Sequence, residues 1–270
     1  MGSENYLHGF SNVEQERLKK QALLLEQLIY HDIDFSQVDK LLEVGCGVGA
    51  QSEIILRRFP NLYLTGVDLS QKQLEVAQHN LEKCLYAKDR FELKQMSANQ
   101  LTLPPRSFDG AFLCWILEHV PSPAHVLSEI RRVLRPNSPV VVTEVLNSSF
   151  FFNPYSPNLW KYWMEFNDYQ YELGGDPFVG AKLGNLLFSL GFKNIETKVK
   201  TIHLDNRDPV QRHKFVTFWQ ELLLSGADQL VNAKKVDIEL VNAMKKEVDT
   251  VANDPNCVFY YSFIQAHAVV

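Results

Sequence analysis

Apolar and polar positions along the chain follow two alternating rhythms. Between residues 14 and 31, Leu18, Ala22, Leu25 and Ile29 recur at the spacing of one helix face, which predicts an amphipathic helix. From Lys40 onward, short apolar runs and helical stripes take turns. Lys40–Val44, Leu62–Val67, Phe91–Gln95, Gly110–Cys114 and Val140–Val145 predict five strands. A glycine turn and a helix to Phe59 follow the first. After the second, Ser70 caps a helix whose buried stripe is Leu74, Ala77 and Leu81, with Gln73 placed to complete a capping box. Ser122 and Pro123 open a helix carrying Leu127, Ile130 and Leu134. Strands alternating with helices at this spacing predict a parallel sheet covered on both faces.

Past Val145 the alternation breaks. Residues 147–179 are rich in aromatics, Asn, Pro and Gly; then Gly180–Leu190 predicts a helix, Gly191 its end, and Ile195–Leu204 a strand. Asp208-Pro209 starts a helical region to about residue 252, broken near Gly226, with Val236, Leu240, Met244 and Val248 as a stripe. Val258–Val269 predicts the last strand. The expected architecture is α/β: a Rossmann-like, doubly wound, seven-stranded sheet, mostly parallel with one antiparallel strand, under a helical cap built from insertions. Residues 1–36 form a leading helical segment. The core is 37–146, 176–204 and 257–270, and the cap insertions are 147–175 and 205–256. Insertions at the carboxyl edge of such a sheet shape a substrate pocket.

Composition narrows the partners. The chain has 270 residues, 46% of them hydrophobic and 22% charged, enough for one sizeable core. A net charge of −5 argues against a nucleic-acid surface, which needs a basic face, and leaves room for a local patch only. Cys46, Cys84, Cys114 and Cys257 are scattered without a C-x-x-C pair, and the eight histidines show no ligand spacing with carboxylates, so no metal site and no disulfide framework is expected. The first 30 residues are mixed polar and charged, unlike a secretory signal, and no run is long and apolar enough for a bilayer. A cytoplasmic protein with no membrane partner is expected. The leading amphipathic helix leaves room for a homodimer.

The sharpest motif is Glu43-Val44-Gly45-Cys46-Gly47-Val48-Gly49, directly after the first strand, with Asp68 at the end of the second. Glycines let the chain turn tightly against a ligand, and a carboxylate at the second strand end can accept both ribose hydroxyls. The pair points to a nucleoside across the first two strand ends. Gly45-x-Gly47-x-x-Ala50 also fits a dinucleotide fingerprint, so an NAD-dependent oxidoreductase is a rival. Glu43 weighs against a pyrophosphate and suits a ligand bearing an ammonium and a sulfonium.

In the order of these motifs the chain resembles the class I S-adenosylmethionine-dependent methyltransferases over roughly residues 38–200. Glu43 to Gly49 resembles the first motif and Val67-Asp68-Leu69-Ser70 the second. Phe108-Asp109-Gly110-Ala111-Phe112 resembles the fourth strand, followed by Glu118-His119-Val120, and Leu134-Arg135-Pro136 the lead-in to strand five. Tyr6-Leu7-His8-Gly9-Phe10 further resembles a bacterial subgroup acting on small natural products, whose leading segment folds over the cofactor. The resemblance implies S-adenosylmethionine as cofactor and Tyr6, Glu43, Gly45, Cys46, Gly47, Gln51, Asp68, Leu69, Gln73, Ser97, Ala98, Asn99, Cys114, Trp115 and His119 as its contacts. Met96-Ser97-Ala98-Asn99 stands where many members place an acid for the adenine amino group.

Transfer of an activated methyl needs positioning above all, and a hydroxyl or amine acceptor also needs a base. His119, after strand four, is the candidate base; its plainer role is to fix the loop. Trp160, Trp163, Tyr171 and Phe178 crowd the first insertion and His203 ends a strand beside the second, which makes them candidate walls of a pocket for a small apolar or aromatic metabolite. The plainer role of the aromatics is the cap's own core. A scaffold that binds S-adenosylmethionine without transfer is the second rival.

Overall fold

The structure, a computed structural model, describes residues 7–9 and 11–270. Helix α1 spans Asn12–Tyr30, with Ser11 Oγ accepting from the Glu14 amide at 3.1 Å as its N-cap. Its stripe Ala22, Leu25 and Ile29 is buried in the chain's own core, so that face is not left over for a second subunit. Five strands follow where the pattern expects them: β1 Lys40–Val44, β2 Tyr63–Asp68, β3 Phe91–Gln95, β4 Gly110–Cys114 and β5 Pro139–Val145. Helices α2 Ala50–Arg58, α3 Gln71–Glu82 and α4 Pro123–Val133 link them.

Two predicted caps form only in part. Ser70 Oγ accepts from the Gln73 amide at 3.3 Å, but the Ser70 amide donates to Asp68 Oδ1 at 2.8 Å, so Gln73 is not needed there. Gln73 Oε1 instead accepts from Gln15 of α1 at 3.2 Å, tying the leading helix to the sheet edge. Ser122 sits at the N-cap of α4 without a side-chain bond, and Pro123 opens that helix by geometry alone.

The sheet has eight strands rather than seven, because Phe151–Asn153 forms a three-residue strand, β6, inside a stretch expected to be irregular. The order is β3-β2-β1-β4-β5-β8-β6, with β7 (Lys193–Leu204) also pairing β8 (Val258–Val269). The pairs among β1 to β5 are parallel, and β8 runs antiparallel to β5, β6 and β7, as expected of the last strand. Successive strand residues face opposite sides. Leu41, Phe112 and Val141 join the apolar layer with α1 and α2, while Leu42, Leu113 and Val142 join the layer with α4 and α6 (Leu183–Ser189).

Helices α5 Pro157–Glu172, α7 Pro209–Ser225, α8 Ala227–Asn232 and α9 Ile238–Ala252 pack together over the carboxyl edge. Glu247 of α9 supplies the missing cap of α5, accepting from the amides of Asn158 and Leu159 at 3.2 and 2.9 Å. The Tyr162 hydroxyl donates to the Leu223 carbonyl at 2.6 Å and locks α5 to α7. Among the described residues no helix is long and apolar enough to cross a membrane.

Candidate active site

Register aligns the carboxyl ends of the central strands: Val44 pairs with Val67 and with Leu113, and Cys114 with Thr143. The loops leaving these ends open onto one cavity of about 680 Å³. Gly45, Cys46, Gly47, Gln51, Asp68, Leu69, Gln73, Ser97, Ala98, Asn99, Cys114, Trp115 and His119, all candidate cofactor contacts, line it together. Tyr6 lies outside the described residues.

The glycine loop is closed by its own amides. Gly45 and Cys46 donate to the Val67 carbonyl at 2.8 and 3.1 Å, Gly47 donates to Asp68 Oδ2 at 2.9 Å, and Gly49 donates to the Cys46 carbonyl at 2.9 Å. A dinucleotide site needs such amides turned toward its phosphates. Here four of them already have protein acceptors, and one of these is a carboxylate. Gly45 has φ +76°, and a Cβ there would meet Ile116 at 2.9 Å, so glycine is required where the loop touches the segment after β4.

Asp68 thus clamps the loop and holds the amide of Ser70, the N-cap of α3, and burial raises its carboxyl pKa. Glu43 corrects the sequence reading. It does not line the cavity; it lies buried within β1, where Ser52 Oγ of α2 donates to its Oε2 at 2.5 Å. Burial pushes its pKa to about 8, so near neutral pH it is an uncharged acid and repels no pyrophosphate. The loop amides, not the Glu43 charge, are what disfavour a dinucleotide.

The segment after β4 is held from below. Glu144 of β5, fully buried, accepts from the amides of Ile116, Leu117 and Glu118 at 3.0, 2.7 and 3.3 Å. This places Trp115, at φ +55°, and His119 on the cavity wall. Gln170 of α5 donates to Glu118 Oε2 at 2.8 Å, and His119 Nε2 lies 3.6 Å from Glu118 Oε1. Asn99 after β3 has a buried Oδ1 with no hydrogen-bond partner, an acceptor held ready for a donor.

The far end of the cavity is aromatic. Trp163 and Phe166 of α5, Phe215, Phe218, Trp219 and Leu222 of α7, and Tyr261 and Phe263 of β8 line it. Of the candidate walls, only Trp163 is in place. Trp160, two-thirds of a turn around from Phe166 on the same helix, packs on Phe150 at 5.5 Å. Tyr171 is 63% exposed on the opposite side of α5. Phe178 does not reach the cavity, and His203 is exposed beside Asp205 and Tyr260. Sequence reading missed the α7 wall, although Phe215, Phe218, Trp219 and Leu222 follow the spacing of one helix face. It also missed Arg17 of α1, which pairs with Glu14 at 2.6 Å and bonds Gln21.

Residues 42–142 match the family model described as a methyltransferase domain. This segment of the chain is thus similar to a methyltransferase domain, in agreement with the strand order and the motif order. Over 143 residues it is 29% identical to 27-O-demethylrifamycin SV methyltransferase of Amycolatopsis mediterranei, a match covering 53% of this chain and 52% of that one. The chain spans about half the length, or less, of the first curated relatives it matches. In fold it is similar to the Haemonchus contortus phosphoethanolamine N-methyltransferase 2 solved with phosphomonomethylethanolamine and S-adenosylhomocysteine. That likeness has a TM-score of 0.57 at 18% identity and covers 95% of this chain and 56% of that one. It is also similar to the [4+2]-cyclase SpnF, with a TM-score of 0.54 at 20% identity over 94% of this chain and 82% of that one. A cyclase on the same fold means that the chemistry must be argued from the site.

Proposed function

We propose that this protein transfers a methyl group from S-adenosylmethionine to a small apolar or aromatic metabolite. The observation that carries the reading is one continuous cavity, lined at the strand ends by the glycine loop and Asp68 and elsewhere by aromatic side chains of α5, α7 and β8. Residues 147–175 and 205–256 act as that cap, and residues 1–36 as the segment that closes the crevice.

The residues present fit the cofactor. Asp68 accepts the ribose hydroxyls from the end of β2. The unpartnered Asn99 Oδ1 accepts from the adenine amino group, in place of the more usual acid. The carbonyl edge of Cys114 and Trp115 and the side chain of Gln51 face the methionine end. When bound, S-adenosylmethionine supplies an activated methyl on a sulfonium. The protein orients the acceptor in line with that methyl and excludes water; pre-paid orientation is the larger part of the rate. The aromatic walls also favour a neighbouring cationic centre. His119 stands where it can contact the cofactor, its position fixed through Glu118 and Glu144.

Calorimetry with S-adenosylhomocysteine and NADH tests the cofactor. Binding of the first in the low micromolar range or tighter, and none of the second, is expected. A screen of phenolic and polycyclic metabolites with labelled methyl donor tests transfer. Cofactor binding without transfer to any acceptor would leave the scaffold reading in its place.

A further inference from the structure

A buried polar network stands in the wall of the aromatic chamber. Asn147, the second residue past β5, lines the cavity with 5% of its surface exposed. Its backbone is held on both sides. The Asn147 amide donates to the Pro177 carbonyl at 3.0 Å, and its carbonyl accepts from the Trp163 indole N–H at 3.2 Å. Its side chain is held by Asn167 of α5, at 2.7 Å from Nδ2, and by the Tyr261 hydroxyl of β8, at 2.8 Å from Oδ1.

The far end of this network fixes the direction of each bond. Asn167 meets the Trp163 carbonyl at 2.6 Å, and a carbonyl only accepts, so the Asn167 atom there is the donating Nδ2. Asn167 Oδ1 is then left to accept from Asn147 Nδ2, and Asn147 Oδ1 to accept from the Tyr261 hydroxyl. The Asn147 amide therefore cannot flip. It carries two N–H donors and uses one; the other has no acceptor among the described residues.

A second donor on the same wall is in the same condition. Trp219 of α7 packs 4.8 Å from the Tyr261 ring and 5.7 Å from that of Trp163, and it lines the cavity. Its indole Nε1 is buried without a hydrogen-bond partner. A buried donor left unpaired is costly, so one kept in a cavity wall calls for an acceptor from outside the chain.

We propose that Asn147, with Trp219 beside it, binds a ring-conjugated carbonyl oxygen of the methyl acceptor, an aromatic ketone or quinone. This rests on the methyl-transfer reading and narrows its substrate class. Flat apolar walls hold a ring but leave it free to turn in its plane, whereas transfer requires one atom in line with the methyl. Donors at one fixed place set that rotation. A carboxylate in the same role would sit near Glu118 and Glu172 on the lining, so the neutral carbonyl is the matching oxygen.

Two bicyclic probes, 1-tetralone and tetralin, differ by a carbonyl in place of a methylene. Both are titrated into protein saturated with S-adenosylhomocysteine. Asn147→Leu should lower the affinity ratio of tetralone to tetralin about tenfold, and Trp219→Phe about threefold. A merely structural role would weaken both probes together and leave the ratio unmoved. In ¹⁵N spectra of the wild type, the Trp219 indole proton and one Asn147 side-chain proton should move downfield with tetralone and not with tetralin, a readout that stands even where a variant does not fold. A ratio unchanged in both variants, unmoved wild-type signals, or failure of tetralone to bind overturns the proposal. Failure of S-adenosylhomocysteine to bind the wild type overturns the methyl-transfer reading instead.

Discussion

Replacing Glu43 by Gln should make the protein's stability less sensitive to pH. In the folded chain burial holds the Glu43 pKa at about 8, against an ordinary 4.5. The folded state therefore keeps a proton that the unfolded chain has lost, and stability falls as pH rises between these values. Below about 4.5 both states are protonated and above about 8 both are ionised, so the effect is confined to that window. At about 1.36 kcal/mol per pH unit, the full span is roughly 5 kcal/mol, an upper figure because a buried acid relaxes its surroundings when it ionises. Gln is uncharged throughout, and its side-chain carbonyl can still accept from Ser52 Oγ. Urea unfolding of both proteins from pH 5 to pH 9 reads the difference directly, since every other titrating group cancels. The variant should gain several kcal/mol relative to wild type across this range. Parallel curves for the two proteins would refute the buried neutral acid and restore a charged Glu43 beside the loop.

Asp68→Ala removes the proposed ribose acceptor and leaves the Gly47 and Ser70 amides without their carboxylate. Calorimetry should show S-adenosylhomocysteine weakened by about 1–3 kcal/mol, roughly 5- to 150-fold. Gly180→Ala puts a Cβ 2.5 Å from the Val145 carbonyl oxygen and 2.7 Å from that of Glu144, backbone that cannot swing aside. Thermal unfolding should show a loss of about 3 kcal/mol or more, or no folded protein. Phe166→Ala hollows the wall shared by the chamber and the core, and should cost about 3–5 kcal/mol in urea unfolding. Near pH 7, binding of S-adenosylhomocysteine should release protons, because its ammonium favours the ionised form of Glu43, whose pKa burial raises to about 8. Calorimetry in buffers of different ionisation enthalpy should show less release for Glu43→Gln.

The cofactor half was legible because its chemistry is local. A glycine at φ +76° and an acid at the next strand end leave a fixed spacing in the chain, and the apolar runs of β1 to β5 bury both faces whatever lies around them. Strand β6 was not legible, since three residues in a polar-aromatic stretch become a strand only by pairing with Val258–Tyr260, about a hundred residues away. The protonation of Glu43 was hidden for a similar reason: residue type announces a charge, but burial decides whether it exists. The acceptor half failed by direction rather than by composition. On α5, Trp163 and Phe166 point inward while Tyr171 turns outward, and sequence gives the stripe but not the object it faces. The α7 stripe was equally visible and equally without an address.

The likeness in fold to enzymes with very different acceptors makes the chamber's charge decisive. A phosphorylated amino-alcohol, as in the Haemonchus contortus complex, needs cations to hold its phosphate. Among the described residues lining this cavity, Arg17 is the single lysine or arginine, and its guanidinium already bonds Glu14 twice and Gln21 once. A phosphate entering the chamber would have to break that pairing inside a partly buried wall, with Glu118 and Glu172 also on the lining. An aromatic ring, in contrast, meets Trp163, Phe166, Phe215, Phe218 and Trp219 and displaces only water from apolar surface. The proposed neutral, aromatic acceptor therefore rests on what the cap withholds as much as on what it offers: it withholds a counter-charge for phosphate and offers flat apolar walls to a ring.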